Sequence, residues 1–291
     1  MEHIKPCSAC SWTPERQDGC RYESHVKIIY GVSDRGVWSL GSNLILKERS
    51  SAPPNFDALN LRFIENESSI PVPHLVEDWV EDGRQFILMK RIRGQPLNTL
   101  WSSMSLEEKE RVAKETAEYL NQLRKLCSPK MQSLQDQPIY SAFLFPIGYG
   151  LPHGPFLSDD ELWADMEEAL SKVPEDARRR LRERMPAAAP YTFTHCDLTN
   201  VNVMIEDGHL TGIIDWESSG YFPVWWEFTS AGIGLGEEDK EWKTLLQKYM
   251  PDYSSAREFW LDYWSLSRYP HLNDNLNDRA LKILQERADG N

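Results

Sequence analysis

Apolar and polar positions fall into two textures along the chain. In the first third the apolar runs are short and broken by turn residues: Val26 to Gly31, Gly36 to Leu40 and Asn43 to Lys47, with Gly31, Ser33-Asp34 and Gly41-Ser42 among the breaks. That spacing predicts an antiparallel meander. After Pro53-Pro54, the stretch Asp57 to Glu65 carries Leu59, Leu61, Phe63 and Ile64 in an imperfect helical stripe, which Pro71 and Pro73 bring to an end. Strands resume at His74 to Val80 and Arg84 to Ile92, around the turn Glu81-Asp82-Gly83.

Beyond Arg93-Gly94 the period becomes helical. Ser105-Leu106-Glu107-Glu108 is a capping box, in which the Ser and the Glu satisfy each other's free amides, and Val112, Thr116, Leu120, Leu123 and Cys127 follow at helical spacing. A loop rich in Pro and Gly from Ser128 to Phe156 precedes acidic helices over Ser158 to Met185, whose basic run Arg178-Arg179-Arg180 is expected on a solvated face. Further helices are predicted over Trp225 to Ala231, Glu237 to Tyr249, Ala256 to Ser267 and Asn275 to Arg287. Embedded among them, Tyr191 to Asp215 holds two β-like runs, Asn202 to Ile205 and Leu210 to Ile214, joined by Glu206-Asp207-Gly208. The outline is an α+β chain: a small antiparallel β-rich lobe with one helix over residues 1–90, a hinge at about 89–94, and a larger, mainly helical lobe over 91–291.

Composition narrows the function classes. With 41% hydrophobic and 26% charged residues over 291 positions, disorder and collagen are excluded. The apolar runs fall short of the roughly 18 residues needed to cross a bilayer, and Met1 to Trp12 has no continuous apolar core, so neither a membrane partner nor a secretory leader is expected and the cytoplasm is the expected location. A net charge of −13 repels a phosphate backbone, so nucleic acid is not expected as a partner. The acids serve solubility, or a cationic partner if they line a cleft. A monomer is expected. Five cysteines, an odd count, indicate no disulfide framework. Cys7-x-x-Cys10 with Cys20 and His3 or His25 offers a zinc donor set, but the usual second close pair is missing and reduced thiols are expected instead.

The chemistry concentrates in Thr194-His195-Cys196-Asp197-Leu198-Thr199-Asn200-Val201-Asn202 and Gly212-Ile213-Ile214-Asp215-Trp216-Glu217. A carboxylate on a loop, an amide five residues on at the start of a strand, and a second carboxylate at the end of the partner strand can converge on one point. Phosphoryl transfer needs that set: a base for the acceptor hydroxyl, and oxygen ligands holding magnesium against nucleotide phosphates. Magnesium completes its shell with phosphate and water, so an Asn and an Asp suffice, whereas zinc would want His or Cys.

These residues resemble the aminoglycoside phosphotransferase and choline kinase-like family, with its bilobal protein-kinase-like fold. The family's catalytic loop, His-x-Asp-x-x-x-x-Asn followed by a strand ending Ile-Asp-Trp-Glu, is matched by His195 to Asn202 and by Ile214 to Glu217. Val37 to Lys47 looks like its phosphate-covering hairpin and lysine strand, and Phe86 to Ile92 like the strand entering its hinge. The texture is closest to members from filamentous fungi. The resemblance implies Asp197 as catalytic base, Asn202 and Asp215 as Mg2+ ligands, and Lys47 on the α/β-phosphates of ATP or GTP. It also implies adenine binding by the hinge backbone at Met89, Lys90 and Arg91. His195 is expected to brace the loop, and Glu217 to brace the metal loop or cap its turn.

Some positions depart from the family. Where it pairs the lysine with a Glu, this chain has Asp57, one methylene shorter, so that the helix must sit closer or Glu65 or Glu67 must substitute. Cys196 stands where Gly or Asn is usual, and Thr199 supplies no positive charge. Two function classes follow: a small-molecule kinase transferring the γ-phosphate of ATP to a hydroxyl of a small, cationic or amphiphilic metabolite, or a kinase-fold protein that binds nucleotide or metabolite without transfer. The Trp-Glu after Asp215 disfavours a protein kinase. Acceptor-binding candidates are Trp225, Glu227, Trp260 and Trp264, for which the other assignment is a Trp-rich helical core.

Overall fold

The computed structural model describes residues 25–141, 143–146, 150–271 and 277–285. Cys7, Cys10, Cys20 and His3 lie outside them. Five strands, β1 (Val26–Val32), β2 (Arg35–Leu40), β3 (Leu44–Ser50), β4 (Leu75–Glu81) and β5 (Arg84–Lys90), form one antiparallel sheet in the order β1-β2-β3-β5-β4. Asp82 and Gly83 both have positive φ, 48° and 72°, the conformation whose twist suits a two-residue hairpin between β4 and β5. Lys47 stands opposite Val37 on one side and Ile87 on the other. The two-residue period of the strand puts Arg49 on the same face as Lys47. Helix α1 (Asp57–Glu67) buries Ala58, Leu61 and Ile64.

From β5 the chain crosses to the helical part through residues 91–94. Gly94 has φ +88°, and a Cβ there would stand 2.2 Å from the Ile205 carbonyl oxygen, so no residue with a side chain fits without moving a strand. That strand is β9 (Val203–Glu206), which pairs with both β6 (Gln95–Pro96) and β10 (His209–Ile213). A one-turn helix, α2 (Leu97–Leu100), then leads to α3 (Leu106–Leu123), whose capping box forms as expected between Ser105 and Glu108. Helix α3 buries Val112, Ala113, Thr116, Ala117, Leu120 and Leu123 and stops there. Cys127, which the periodicity placed on the same stripe, instead opens β7 (Cys127–Ser128) and is exposed.

Strand β7 pairs with β8 (Tyr191–Thr194), which pairs with β11 (Gly220–Pro223), a sheet that the apolar pattern did not predict. All four residues of β8 are buried; its Tyr-Thr-Phe-Thr run does alternate, but four residues are too short a run to stand out as a strand. The acidic segment divides into α4 (Asp159–Glu168) and α5 (Glu175–Glu183), with Pro174 before the second. Its basic run is only partly solvated: Arg178 pairs with Glu167, and Arg180 pairs with Asp176 and donates to the Ile283 carbonyl. Helices α6 (Trp226–Ser230), α7 (Glu237–Gln247), α8 (Ser254–Arg268) and α9 (Asp278–Gln285) complete the chain.

Two apolar clusters hold these parts together. One runs from α1 and β5 through α3 to Phe193, Ile213, Trp216 and Trp242, and so joins the large sheet to the helical body. The other surrounds Trp225, Trp226, Phe259, Trp260 and Tyr263. Among the described residues, no helix is long and apolar enough to cross a membrane.

Candidate active site

The Lys47 ammonium lies 2.6 Å from Asp57 Oδ2 and 2.7 Å from Asp215 Oδ1. Burial works against its charge, but the two carboxylates outweigh burial and hold Lys47 above the usual amine range. The missing methylene of Asp57 is made up by position: Asp57 is the first residue of α1, so its carboxylate leaves the helix end directly. Its other oxygen accepts from the Trp216 amide at 3.0 Å. Glu65 takes no part, because its carboxylate bonds His74 Nδ1 at 2.6 Å, and Glu67 is exposed at the far end of the helix.

The β9–β10 hairpin and the loop before it bring the other candidates to the same crevice. Asn202 donates its side-chain amide to the Asp197 carbonyl at 2.8 Å and to Asp197 Oδ2 at 3.1 Å. Ile214, next to Asp215, donates its backbone N–H to the Asn202 carbonyl at 2.9 Å. Asp215 itself has φ 67°, a left-handed conformation that Asp tolerates better than most residues. Burial would raise the Asp215 carboxyl, but Lys47, through charge and hydrogen bond, holds it below the usual range. Asp197 goes the other way: burial, then the charge of Asp215, push it up to about 6 against Lys243 and Asn202.

Supporting groups surround this set. His195 is fully buried, with Nε2 3.0 Å from the Ile214 carbonyl and Nδ1 accepting from the Asp197 amide at 3.2 Å. Burial pushes its pKa down to about 4, so the ring is neutral and those bonds assign its proton to Nε2. Glu217 accepts from Arg35 at 2.8 Å, Arg49 at 2.5 Å and Asn55 at 3.3 Å, and so ties the loop after Asp215 to β2 and β3. Asn60 of α1 donates to the Trp216 and Ser219 carbonyls. Sequence reasoning missed Arg35, Arg49 and Asn60; only Arg49 carried a signal, two strand positions beyond Lys47.

The four acceptor candidates lie elsewhere. Trp225 and Trp260 are buried, with their indole N–H groups on the Ala187 and Phe143 carbonyls. Trp264 packs half-buried against the same cluster under the Arg268 guanidinium. Glu227 lies behind the catalytic loop and accepts from the His195 amide at 2.6 Å and the Cys196 amide at 3.3 Å. Burial pushes Glu227 up to about 7 despite those donors. The aromatic stripe is core because Phe259 and Trp260 of α8 pack edge-on against Trp225 and Trp226, and Glu227 supports a backbone.

At the hinge, two of the expected backbone amides are already engaged. Met89 is buried, and the Lys90 and Arg91 amides already donate to the His74 and Asn43 carbonyls, each at 2.8 Å. Because β5 is flanked on both sides to its end, these two amides are not free for a purine. The Arg91 guanidinium bonds Ser39.

A small recess opens beside Asp197, lined also by Phe143, Cys196, Thr199, Ser230, Ile233, Leu235 and Lys243. Cys196 has φ 72°, and burial raises its thiol well above the ordinary range, so it is no thiolate.

An antiparallel sheet set over a helical body, with a lysine and acid pair facing a carboxylate-bearing hairpin, defines the bilobal protein-kinase-like α+β fold. Solved structures share it. The aminoglycoside phosphotransferase APH(2″)-IIa, in a ternary complex with streptomycin and ATP, is 17% identical, with 90% of each chain covered and a TM-score of 0.56. ADP-bound APH(2″)-Ib is 17% identical over 92% of this chain and 93% of its own, with a TM-score of 0.55. A thermostable mutant of APH(4)-Ia, with AMP-PNP and hygromycin B, is 15% identical over 91% and 95%, with a TM-score of 0.59. No curated protein matches the chain. The model of the phosphotransferase enzyme family matches residues 42–259, and the chain belongs to that family.

Proposed function

We propose that this chain transfers the γ-phosphoryl group of ATP, or of GTP, to a hydroxyl of a small molecule, with Asp197 as base. The reading rests on one observation: Lys47, Asp57 and Asp215 form one bonded set, Asp197 and Asn202 another, and the Ile214 to Asn202 hydrogen bond joins them. The ATP with streptomycin and the AMP-PNP with hygromycin B in the similar structures support it.

The donor set fits magnesium. Asn202 spends its nitrogen on Asp197, which leaves Oδ1 for a cation, and Asp215, with its side chain 34% exposed, keeps Oδ2 clear of Lys47. Two hard oxygens next to phosphate suit Mg2+. When bound, Mg2+ supplies positive charge that offsets the phosphate oxygens. Lys47 binds the α/β-phosphates. Asp197, ionised at neutral pH yet raised toward it, accepts the hydroxyl proton as that oxygen bonds to γ-phosphorus and the bond to the β-phosphate oxygen breaks. The purine takes hinge backbone groups other than the Lys90 and Arg91 amides. The division into lobes of 1–90 and 91–291, the cytoplasmic location and the monomeric state belong to the same proposal.

Release of nucleoside diphosphate across a panel of hydroxylated metabolites, with and without Mg2+, tests it. Acceptor-dependent release that Asp197→Asn abolishes is the expected result. Tight Mg-nucleotide binding without release on any acceptor would instead favour a binding protein.

A further inference from the structure

Lys243 reaches the recess beside Asp197 from α7 and is buried, at 4% exposure. Its ammonium contacts Asp239 Oδ2 at 3.1 Å and donates to the Ile233 carbonyl at 2.5 Å. An ammonium has three N–H groups, so one remains without a partner among the described residues. Asp239 is held in turn by the Asn200 and Leu235 amides, at 2.8 and 2.9 Å, which anchors the pair to the catalytic loop. Thr199 lines the same recess at 2% exposure, and its hydroxyl has no hydrogen-bond partner among the described residues. A buried hydroxyl without a partner is rare, and one that lines a recess next to the base together with an ammonium that has an N–H to spare points to a ligand.

We propose that Lys243 and Thr199 form the acceptor-recognition subsite, holding an oxygen of the acceptor next to the hydroxyl that Asp197 activates. This rests on the phosphoryl-transfer reading for the role of Asp197. The acceptor class is therefore oxygen-rich, a sugar or a hydroxy acid, and not an amine at that position. Lysine only donates, so a hydroxyl, carbonyl or carboxylate oxygen completes its bonds, whereas an ammonium has no lone pair to accept from it. The cationic metabolite that net charge suggested is disfavoured where it would sit closest to the base.

The test uses pairs that differ only in hydroxyl against ammonium, glycerate with serine and glucose with glucosamine. Their dissociation constants for the full chain with Mg-ATP are measured by NMR titration, which needs no turnover. The oxygen member of a pair should bind at least about tenfold more tightly, and the ratio should fall below about threefold in Lys243→Met. Thr199→Val should weaken the oxygen member. Should Lys243→Met lose its circular dichroism because Asp239 is left unpaired, Lys243→Met with Asp239→Asn removes both charges together. Equal or tighter binding of the amine members overturns the proposal, as does an unchanged ratio in a folded Lys243 variant or no binding by any of the four probes. Nucleoside diphosphate release, followed in parallel, reports on the transfer reading alone: selective binding without release leaves the subsite standing and removes the transferase.

Discussion

Asp197 combines two demands that pull its chemistry in opposite directions. Burial raises its carboxyl to about 6, which sharpens it as a proton acceptor, while the Asn202 amide at 3.1 Å fixes the direction of its Oδ2. Asp197→Asn should therefore cut turnover by roughly 10²–10⁴-fold and leave nucleotide affinity nearly unchanged, as steady-state kinetics beside calorimetry will show. Its neighbour Cys196 sits at φ 72°, where a side chain costs about 1–2 kcal/mol. Cys196→Gly relieves that strain but loses thiol packing and gains about 0.5–1 kcal/mol of unfolded-state entropy, so denaturant unfolding should show a net change within about 1 kcal/mol. Cys196→Val should destabilise clearly, because a β-branched residue fits that conformation poorly.

At the scale of elements, the catalytic loop hangs from groups behind it. Two of these titrate in opposite senses. Neutral His195, with its pKa lowered to about 4, contributes stability that is present above its unfolded value near 6.5 and is lost as pH falls toward 4. Glu227, raised to about 7, contributes stability that is complete below its unfolded value near 4.5 and is lost as pH rises through 7. In Glu227→Gln the second slope should vanish. Wild type minus variant, measured by denaturant unfolding, should be larger at pH 5 than at pH 7.5 by up to about 3 kcal/mol. The elements legible in the sequence were those with local punctuation. The hairpin turns at Asp82-Gly83 and Asp207-Gly208, the box at Ser105 and Glu108, and the spacing of Asp197, Asn202 and Asp215 are all fixed by near neighbours. Strand β8 was not legible because four residues are too short a run for their alternation to stand out, and Lys243 and the bracing role of Glu227 were not because tertiary packing alone brings them to the loop. The Trp-rich stretch left both of its assignments open, because helical spacing of aromatics looks the same for a core and for a pocket.

Across the whole molecule, Lys47, Asp57, Asp215 and Glu217 carry charge from the large sheet to the catalytic hairpin. Lys47 joins the sheet to Asp215, and Arg35 and Arg49 join it to Glu217. Asp215→Lys puts a second cation against Lys47 and removes a carboxylate proposed to face metal and phosphate. Calorimetry with ATP should show affinity lost in this variant and dependent on Mg2+ in the wild type. Unchanged affinity in both conditions would remove Asp215 from the metal assignment.

Gly94 carries no side chain to offer a reactant, yet it fixes how the large sheet is joined to the helical body. Its backbone is seated on the Ile205 carbonyl, in the same strand that Asn202 leads into, so the crossing moves with the catalytic hairpin as one solid piece. Ile92, packed over Gly212, and the Arg93 carbonyl, which accepts from the Thr211 hydroxyl at 2.8 Å, tie the rest of the crossing to the same hairpin. Position 94 therefore works as a keystone: even one methyl group there would press on the strand that Asn202 leads into.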